Sequence, residues 1–201
     1  MIETIISDLG MVLLHFDNGI FFRKMARRTS RPAEEIRKVV HDNLDLNTLF
    51  EKNAISPLDF YRNAKDLLTA EVSYEDFYAD YCDIFSLNPP ALELYRRVRP
   101  RLKMILLSNT DIMRWSFIKS RFPEILMFDG YVLSFDVGFM KPQLEVYRES
   151  LRLAGSRPET TVFIDDLPEN VDSAARLGIR GIVYRPGVDL ESELRRFGVQ
   201  A

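Results

Sequence analysis

The sequence predicts an α/β fold: a mostly parallel sheet with helices on both faces and an all-helical insertion behind the first strand. Three observations lead there. Short aliphatic runs of strand length fall at residues 2–6, 102–107, 131–134, 161–164 and 182–184, and the later ones alternate with helical patterns. Between residues 17 and 85 only helical patterns occur. Three of the runs stop abruptly on polar groups, at Asp8, at Ser108-Asn109 and at Asp165-Asp166. In an open parallel sheet that end of the strands is the edge where ligands bind.

The first run, Ile2 to Ile6, is rich in β-branched residues and reads as a buried strand. Asp8-Leu9-Gly10 interrupts it before a second apolar run, Met11 to Leu14. Asp17 or Asn18 caps a helix to about Arg28, and Ser30-Arg31-Pro32 starts another with Ile36, Val39 and Val40 as its apolar stripe. Leu44 to Phe50 forms a further helical piece, Ser56-Pro57 opens a helix to about Thr69, and Ser73 opens one to Ile84. Phe60, Tyr61, Tyr74, Phe77, Tyr78, Tyr81 and Phe85 read as the core of a small helical bundle. Asn88-Pro89-Pro90 marks a boundary, followed by a helix to Val98. Strands and helices then alternate. The helices carry Trp115, Ile118 and Phe122, then residues 143–153 closed by Gly155, then residues 168–177 closed by Gly178, then residues 190–197. The expected division is an α/β core of residues 1–15 and 89–201, with a helical cap of residues 16–88 that acts as a lid on the ligand-binding edge.

Composition narrows the function classes. The chain has 201 residues, 46% hydrophobic and 28% charged, which is enough apolar material for a packed core. A net charge of -3 argues against a dedicated nucleic-acid binder. Cys82 is the single cysteine, so no internal disulfide forms, in keeping with a cytoplasmic setting. No basic leader and no long apolar run point to secretion or to a membrane. The expected partner is a small phosphorylated metabolite, for a monomer or homodimer.

That expectation rests on the polar strand ends. Asp8, Asp165 and Asp166 at one edge form a like-charge cluster that calls for a cation. Hard oxygen ligands open to solvent suit Mg²⁺, which shares its waters with a phosphate. Lys141, in a loop able to reach the same edge, and the Ser108 hydroxyl are natural partners for phosphoryl oxygens.

These segments resemble the haloacid dehalogenase superfamily, and within it the phosphatases with a helical cap after the first strand. Its four motifs are matched in order by Ile6-Ser7-Asp8-Leu9-Gly10-Met11-Val12, Leu106-Leu107-Ser108-Asn109, Lys141-Pro142 and Phe163-Ile164-Asp165-Asp166 with Asn170 beyond. The details look most like the sugar-phosphate phosphatases and the phosphatase domain of bifunctional epoxide hydrolases. The resemblance implies a Rossmann-like core and a catalytic set of Asp8, Ser108 and Lys141. Asp8 would be the nucleophile that forms an aspartyl-phosphate. Mg²⁺ would be held by Asp8, the Gly10 carbonyl and Asp166, with Asp165 beside it or acting through water. Ser108, Asn109 and Lys141 would bind the phosphoryl group.

Gly10 departs from the family pattern. The phosphatases usually carry a second aspartate there, which protonates the leaving oxygen and then activates water. His15 and Asp17 are the nearest titratable substitutes, although His15 also fits a structural place at the lid hinge. The gap keeps open a catalytically impaired phospho-ligand binding or regulatory protein on the same fold, and it weakens a phosphomutase reading. A metal-independent haloacid dehalogenase is a further alternative, but that branch lacks a paired acidic motif like Asp165-Asp166. In the cap, Arg23, Lys24, Arg27, Arg28 and Arg31 make a basic face. Arg23 or Lys24 is the candidate to meet a second anionic group on the substrate. His41 is expected on the surface of the cap, and the basic run from Arg96 to Lys103 is a solvated face away from the edge.

Overall fold

A computed structural model describes residues 1–200. Five parallel strands form the central sheet, in the order β5-β4-β1-β6-β7. They are β1 (Thr4–Ser7), β4 (Lys103–Ser108), β5 (Gly130–Leu133), β6 (Thr161–Asp165) and β7 (Arg180–Val183). β1 lies at the centre, with Ile6 opposite both Ile105 and Phe163. The two-residue period of the strands sorts their side chains into two cores. Ile5, Met104, Leu106, Val162 and Ile164 face one way, onto α6 (Pro89–Val98), α7 (Ile112–Arg121) and α11 (Leu190–Arg196). Ile6, Ile105, Leu107 and Phe163 face the other way, onto α9 (Leu144–Ala154) and α10 (Pro168–Ala175). Burial on both faces is why these strands are apolar throughout rather than alternating.

The helical stretch holds α1 (Asn18–Met25), α2 (Ala33–Asp42), α3 (Leu44–Glu51), α4 (Pro57–Leu68) and α5 (Tyr74–Cys82). Ser56 and Ser73 cap α4 and α5 by accepting the N–H groups of Asp59 and Asp76, each at 3.1 Å. Ser30 does not cap α2: the helix begins at Ala33, and Pro32 precedes it without a side-chain cap. The aromatic residues do form a core of their own. Phe50 stacks on Phe60 at 4.2 Å between ring centres, and Phe77 stacks on Tyr81 at 5.7 Å. Met113 of α7 completes this core, so the helical block packs on the sheet layer as well as on itself.

One element is absent from the sequence reading. The chain enters the helical block along β2 (Leu14–Phe16) and leaves it along β3 (Phe85–Leu87), and these pair antiparallel with His15 opposite Ser86. Asn88 pins this ribbon to the turn between β1 and β2: its backbone N–H donates to the Leu13 carbonyl and its side-chain amide to the Val12 carbonyl, both at 2.8 Å. The β2–β3 ribbon, the short helix α8 (Ser134–Val137) and the 3₁₀ turns aside, the other elements follow the expected order, with helix ends shifted by up to three residues. Among the described residues no helix is long and apolar enough to cross a membrane. Cys82 is a free, buried thiol, and burial pushes its pKa up.

The two kinds of packing give two expected outcomes in urea unfolding. Phe77, fully buried in the helical core, touches aromatic neighbours on several sides, and Phe77→Ala should cost about 3–5 kcal/mol. Gly181 of β7 leaves no room for a side chain, since a Cβ there would lie 2.2 Å from the Val171 Cγ1 atom. Gly181→Ala should cost about 1–3 kcal/mol through forced repacking of α10.

Candidate active site

The carboxyl end of β1 fixes the first group. The Asp8 N–H donates to the Ile164 carbonyl at 2.8 Å, so the pairing with β6 runs on to Asp8 itself. The chain then folds back tightly, with the Leu13 and Leu14 N–H groups both donating to the Leu9 carbonyl and Met11 in the left-handed region at φ 55°. Asp8 is held by one oxygen only. Its Oδ1 accepts the Leu9 N–H at 2.7 Å and faces the Lys141 ammonium at 2.6 Å. Its Oδ2 accepts no hydrogen bond among the described residues.

Lys141 is buried between two carboxylates, with Nζ 2.6 Å from Asp8 and 2.7 Å from Asp165. Its backbone is clamped by Asn109, whose Oδ1 accepts the Lys141 N–H at 2.8 Å and whose Nδ2 donates to the Lys141 carbonyl at 3.0 Å. The Asn109 side chain is therefore engaged in positioning Lys141 through both its oxygen and its nitrogen. Ser108 ends β4 beside it. Its hydroxyl reaches only the Asn109 carbonyl, at a long 3.5 Å, and is free to take a better partner.

Asp165 and Asp166 have different environments. Asp165 is fully buried and fully used: Oδ1 accepts the Leu167 N–H and the Asn170 amide, each at 2.9 Å, and Oδ2 takes Lys141. Asp166 is partly exposed, and no other residue donates to its carboxylate. Burial raises its pKa, and the charge of Asp165 adds to that. Burial likewise pushes Asp8 up to about 7, against the pull of Lys141 and with the push of Asp165. Burial alone would lower the Lys141 pKa, but the flanking Asp8 and Asp165 raise it, so the ammonium stays charged. Carboxylate charge thus exceeds ammonium charge at this edge, which favours a bound cation.

The donors fit a hard divalent ion. Carboxylate oxygens of Asp8, Asp165 and Asp166 lie within 4.8 Å of one another. The Gly10 carbonyl accepts no hydrogen bond among the described residues. All of these are oxygen donors, and the Asp166 carboxylate and the Gly10 carbonyl are uncommitted, in keeping with the all-oxygen set that a Mg²⁺-sized ion takes.

Other sequence candidates fall outside this cluster. Arg23 pairs with Asp17 at 3.0 Å and Lys24 with Asp83 at 3.1 Å, and neither lines the cavity at the strand ends. The reason is helical phase: α1 buries Phe21 and Met25, and that turns the intervening basic residues outward. Asp17 is occupied as the cap of α1, accepting the Gly19 N–H at 2.8 Å. His15 sits in the β2–β3 ribbon and does not line the cavity either. His41 is exposed, at the cavity's outer side. Where a second acidic side chain would start, a Cβ on Gly10 would lie 3.1 Å from the Phe16 ring.

The cavity itself measures about 620 Å³ and joins Asp8, Ser108, Lys141 and Asp166 to the helical block. Its walls include residues that sequence reasoning missed. Tyr81 of α5 donates its hydroxyl to the buried Asp111 at 2.8 Å, and the Arg114 guanidinium lies 4.2 Å from the Tyr81 ring centre. The Arg114 Nε is buried without a hydrogen-bond partner, 3.9 Å from the Asp111 Oδ2 atom. Glu51, the last residue of α3, also lines the cavity. A charged residue at a helix end carries no sequence signal that separates it from a solvated one.

No protein-family model matches the chain. Similarity to individual proteins is nevertheless extensive. The chain is 24% identical over 201 residues to D-ribitol-5-phosphate phosphatase of Bacteroides thetaiotaomicron, covering 96% of this chain and 97% of the relative. It is 28% identical over 197 residues to drimenol cyclase of Aspergillus calidoustus, covering 96% of this chain but only 36% of the cyclase. Among solved structures, a HAD-family enzyme of Bacteroides thetaiotaomicron, in complex with magnesium and inorganic phosphate, superposes with a TM-score of 0.86 at 25% identity. That match covers 97% of this chain and 100% of the other. The whole fold, helical block included, thus agrees with the sequence resemblance to the haloacid dehalogenase superfamily.

Proposed function

We propose that this chain is a Mg²⁺-dependent phosphatase that hydrolyses a small phosphorylated metabolite through an aspartyl-phosphate on Asp8. One observation carries the reading: Asp8 is fixed through Oδ1 by Lys141 while its Oδ2 stays free, beside an uncommitted Ser108 hydroxyl and an uncommitted Asp166. A carboxylate held this way is a positioned nucleophile.

Residues 16–88 act as the cap, since the helices they contain wall the cavity above the strand ends. The substrate's phosphoryl group sits against the Ser108 hydroxyl and the neighbouring backbone N–H groups. Asp8 Oδ2 attacks phosphorus, the bond from phosphorus to the alcohol oxygen breaks, and that oxygen keeps the electron pair. Water then attacks phosphorus and releases phosphate and Asp8. Through both steps the Lys141 ammonium offsets the charge of Asp8 and of the phosphoryl oxygens. Asp8, Asp166 and the Gly10 carbonyl hold the Mg²⁺, with Asp165 behind them as the anchor of Lys141. The ion supplies positive charge that lets an anionic nucleophile meet an anionic ester. The paired Asp165-Asp166 weighs against the metal-independent dehalogenase, and the free Asp8 Oδ2 weighs against a protein that only binds.

For the alcohol, a sugar or sugar-alcohol phosphate has the support of the relative named D-ribitol-5-phosphate phosphatase, which matches over nearly its whole length. A second reading, an apolar alcohol, is favoured by the cavity walls Phe16, Phe22, Val40, Leu44 and Leu46.

The test is phosphate release with Mg²⁺ from p-nitrophenyl phosphate, D-ribitol 5-phosphate and octyl phosphate. Asp8→Asn should lower turnover by a factor on the order of 10⁴ or more, and chelation of the metal should abolish it until Mg²⁺ is restored. Turnover that survives Asp8→Asn would rule out the aspartyl-phosphate. Asp166→Asn should raise the Mg²⁺ concentration needed for half-maximal rate by about tenfold or more, with little change in thermal stability because no other residue depends on that carboxylate.

A further inference from the structure

An alcohol leaving a phosphate monoester departs far more easily with a proton, and a positioned acid supplies about 10²–10⁴ in rate. The cavity can be searched for one. Asp8 is the nucleophile, and Asp166 belongs to the metal. Lys141 is locked between two carboxylates. Tyr81 already donates its hydroxyl to Asp111. His41 has an 80% exposed side chain. The Phe16 ring fills the space beside Gly10.

One carboxyl group is left. Glu51 lines the same cavity as Asp8, Ser108 and Lys141, and it makes no hydrogen bond or ion pair with any described residue. It is held in place all the same. Its neighbour Phe50 is buried and stacked on Phe60, and Glu51 ends α3 just before a turn that puts Asn53 in the left-handed region at φ 57°. We infer that Glu51, carried by the helical block, is the general acid that protonates the leaving alcohol. This rests on the phosphatase reading above.

The electrostatics agree. Burial pushes Glu51 up to about 7, with Asp111 adding to the shift and Arg114 and Lys141 opposing it. The protonated acid is therefore available near neutral pH. In the chemical step the bond from phosphorus to the alcohol oxygen breaks as the Asp8 Oδ2–phosphorus bond forms. The alcohol oxygen receives the electron pair and takes the proton from the Glu51 carboxyl. In the second step the Glu51 carboxylate takes a proton from the attacking water, the bond from phosphorus to Asp8 breaks, and the acid form returns.

The experiment compares kcat/KM for three esters of similar shape: p-nitrophenyl phosphate, phenyl phosphate and benzyl phosphate. The p-nitrophenolate leaves without a proton, and benzyl alcohol does not. Glu51→Gln keeps the shape and removes the proton. It should lower kcat/KM for benzyl phosphate by about 10²–10⁴, phenyl phosphate by less, and p-nitrophenyl phosphate within a few-fold, with the melting temperature unchanged. Glu51→Asp should recover part of the benzyl activity. An equal loss on all three esters, or no loss, would overturn the assignment and leave the phosphatase reading standing. So would wild-type turnover confined to p-nitrophenyl phosphate, since that site supplies no proton. A wild type inert towards all three, with Mg²⁺ present, would overturn the phosphatase reading and this inference with it.

Discussion

The Lys141 ammonium, buried between Asp8 and Asp165, is the contact on which the site is built. A charge in so dry a place is costly unless its partners are close and well aligned, and here both carboxylates lie within 2.7 Å. The arrangement draws on three separate parts of the chain. β1 brings Asp8, β6 brings Asp165, and Asn109 at the end of β4 fixes the loop that carries the lysine. The strand order of the sheet is what makes the three adjacent. The same contact also breaks the symmetry of Asp8, engaging one of its oxygens and leaving the other for chemistry.

The Asp165-Asp166 pair divides its work in the same way. The buried member is saturated by Leu167, Asn170 and Lys141, and the outer member is left open. Two adjacent residues at a strand end point to opposite sides of the sheet plane, so one carboxylate can be structural and the next can remain free. The surplus of negative charge at the edge then has a use, because it creates a preference for a cation beside Asp8 and Asp166.

Much of this was legible in the sequence because the strands are buried on both faces. An apolar run that ends on Asp8, Ser108 or Asp165 announces a sheet edge without any knowledge of the fold, and Ser56 and Ser73 announce their helices through cap chemistry. What was not legible depends on direction. Arg23 and Lys24 have the right charge for an anionic substrate, but the rotation of α1 sends them to Asp17 and Asp83. Asn109 reads as a phosphate ligand and turns out to grip the lysine loop. Glu51 carries no signal in the sequence, and only its place in the cavity wall marks it out. The β2–β3 ribbon was missed because its strands have three residues each and do not alternate in a period long enough to detect.

That ribbon has a consequence for how such a molecule diversifies. Leu14 and Leu87 lie directly opposite each other in the ribbon although more than seventy positions separate them in the chain. Everything between them begins and ends at one point on the sheet, so the α/β layer meets a long excursion as if it were a short hairpin. A block of different length or sequence could be grafted onto the same stem without disturbing the strand order or the Asp8–Lys141–Asp165 contact. Selectivity and proton supply can then be rewritten by exchanging one module, while the machinery that handles phosphate is inherited unchanged.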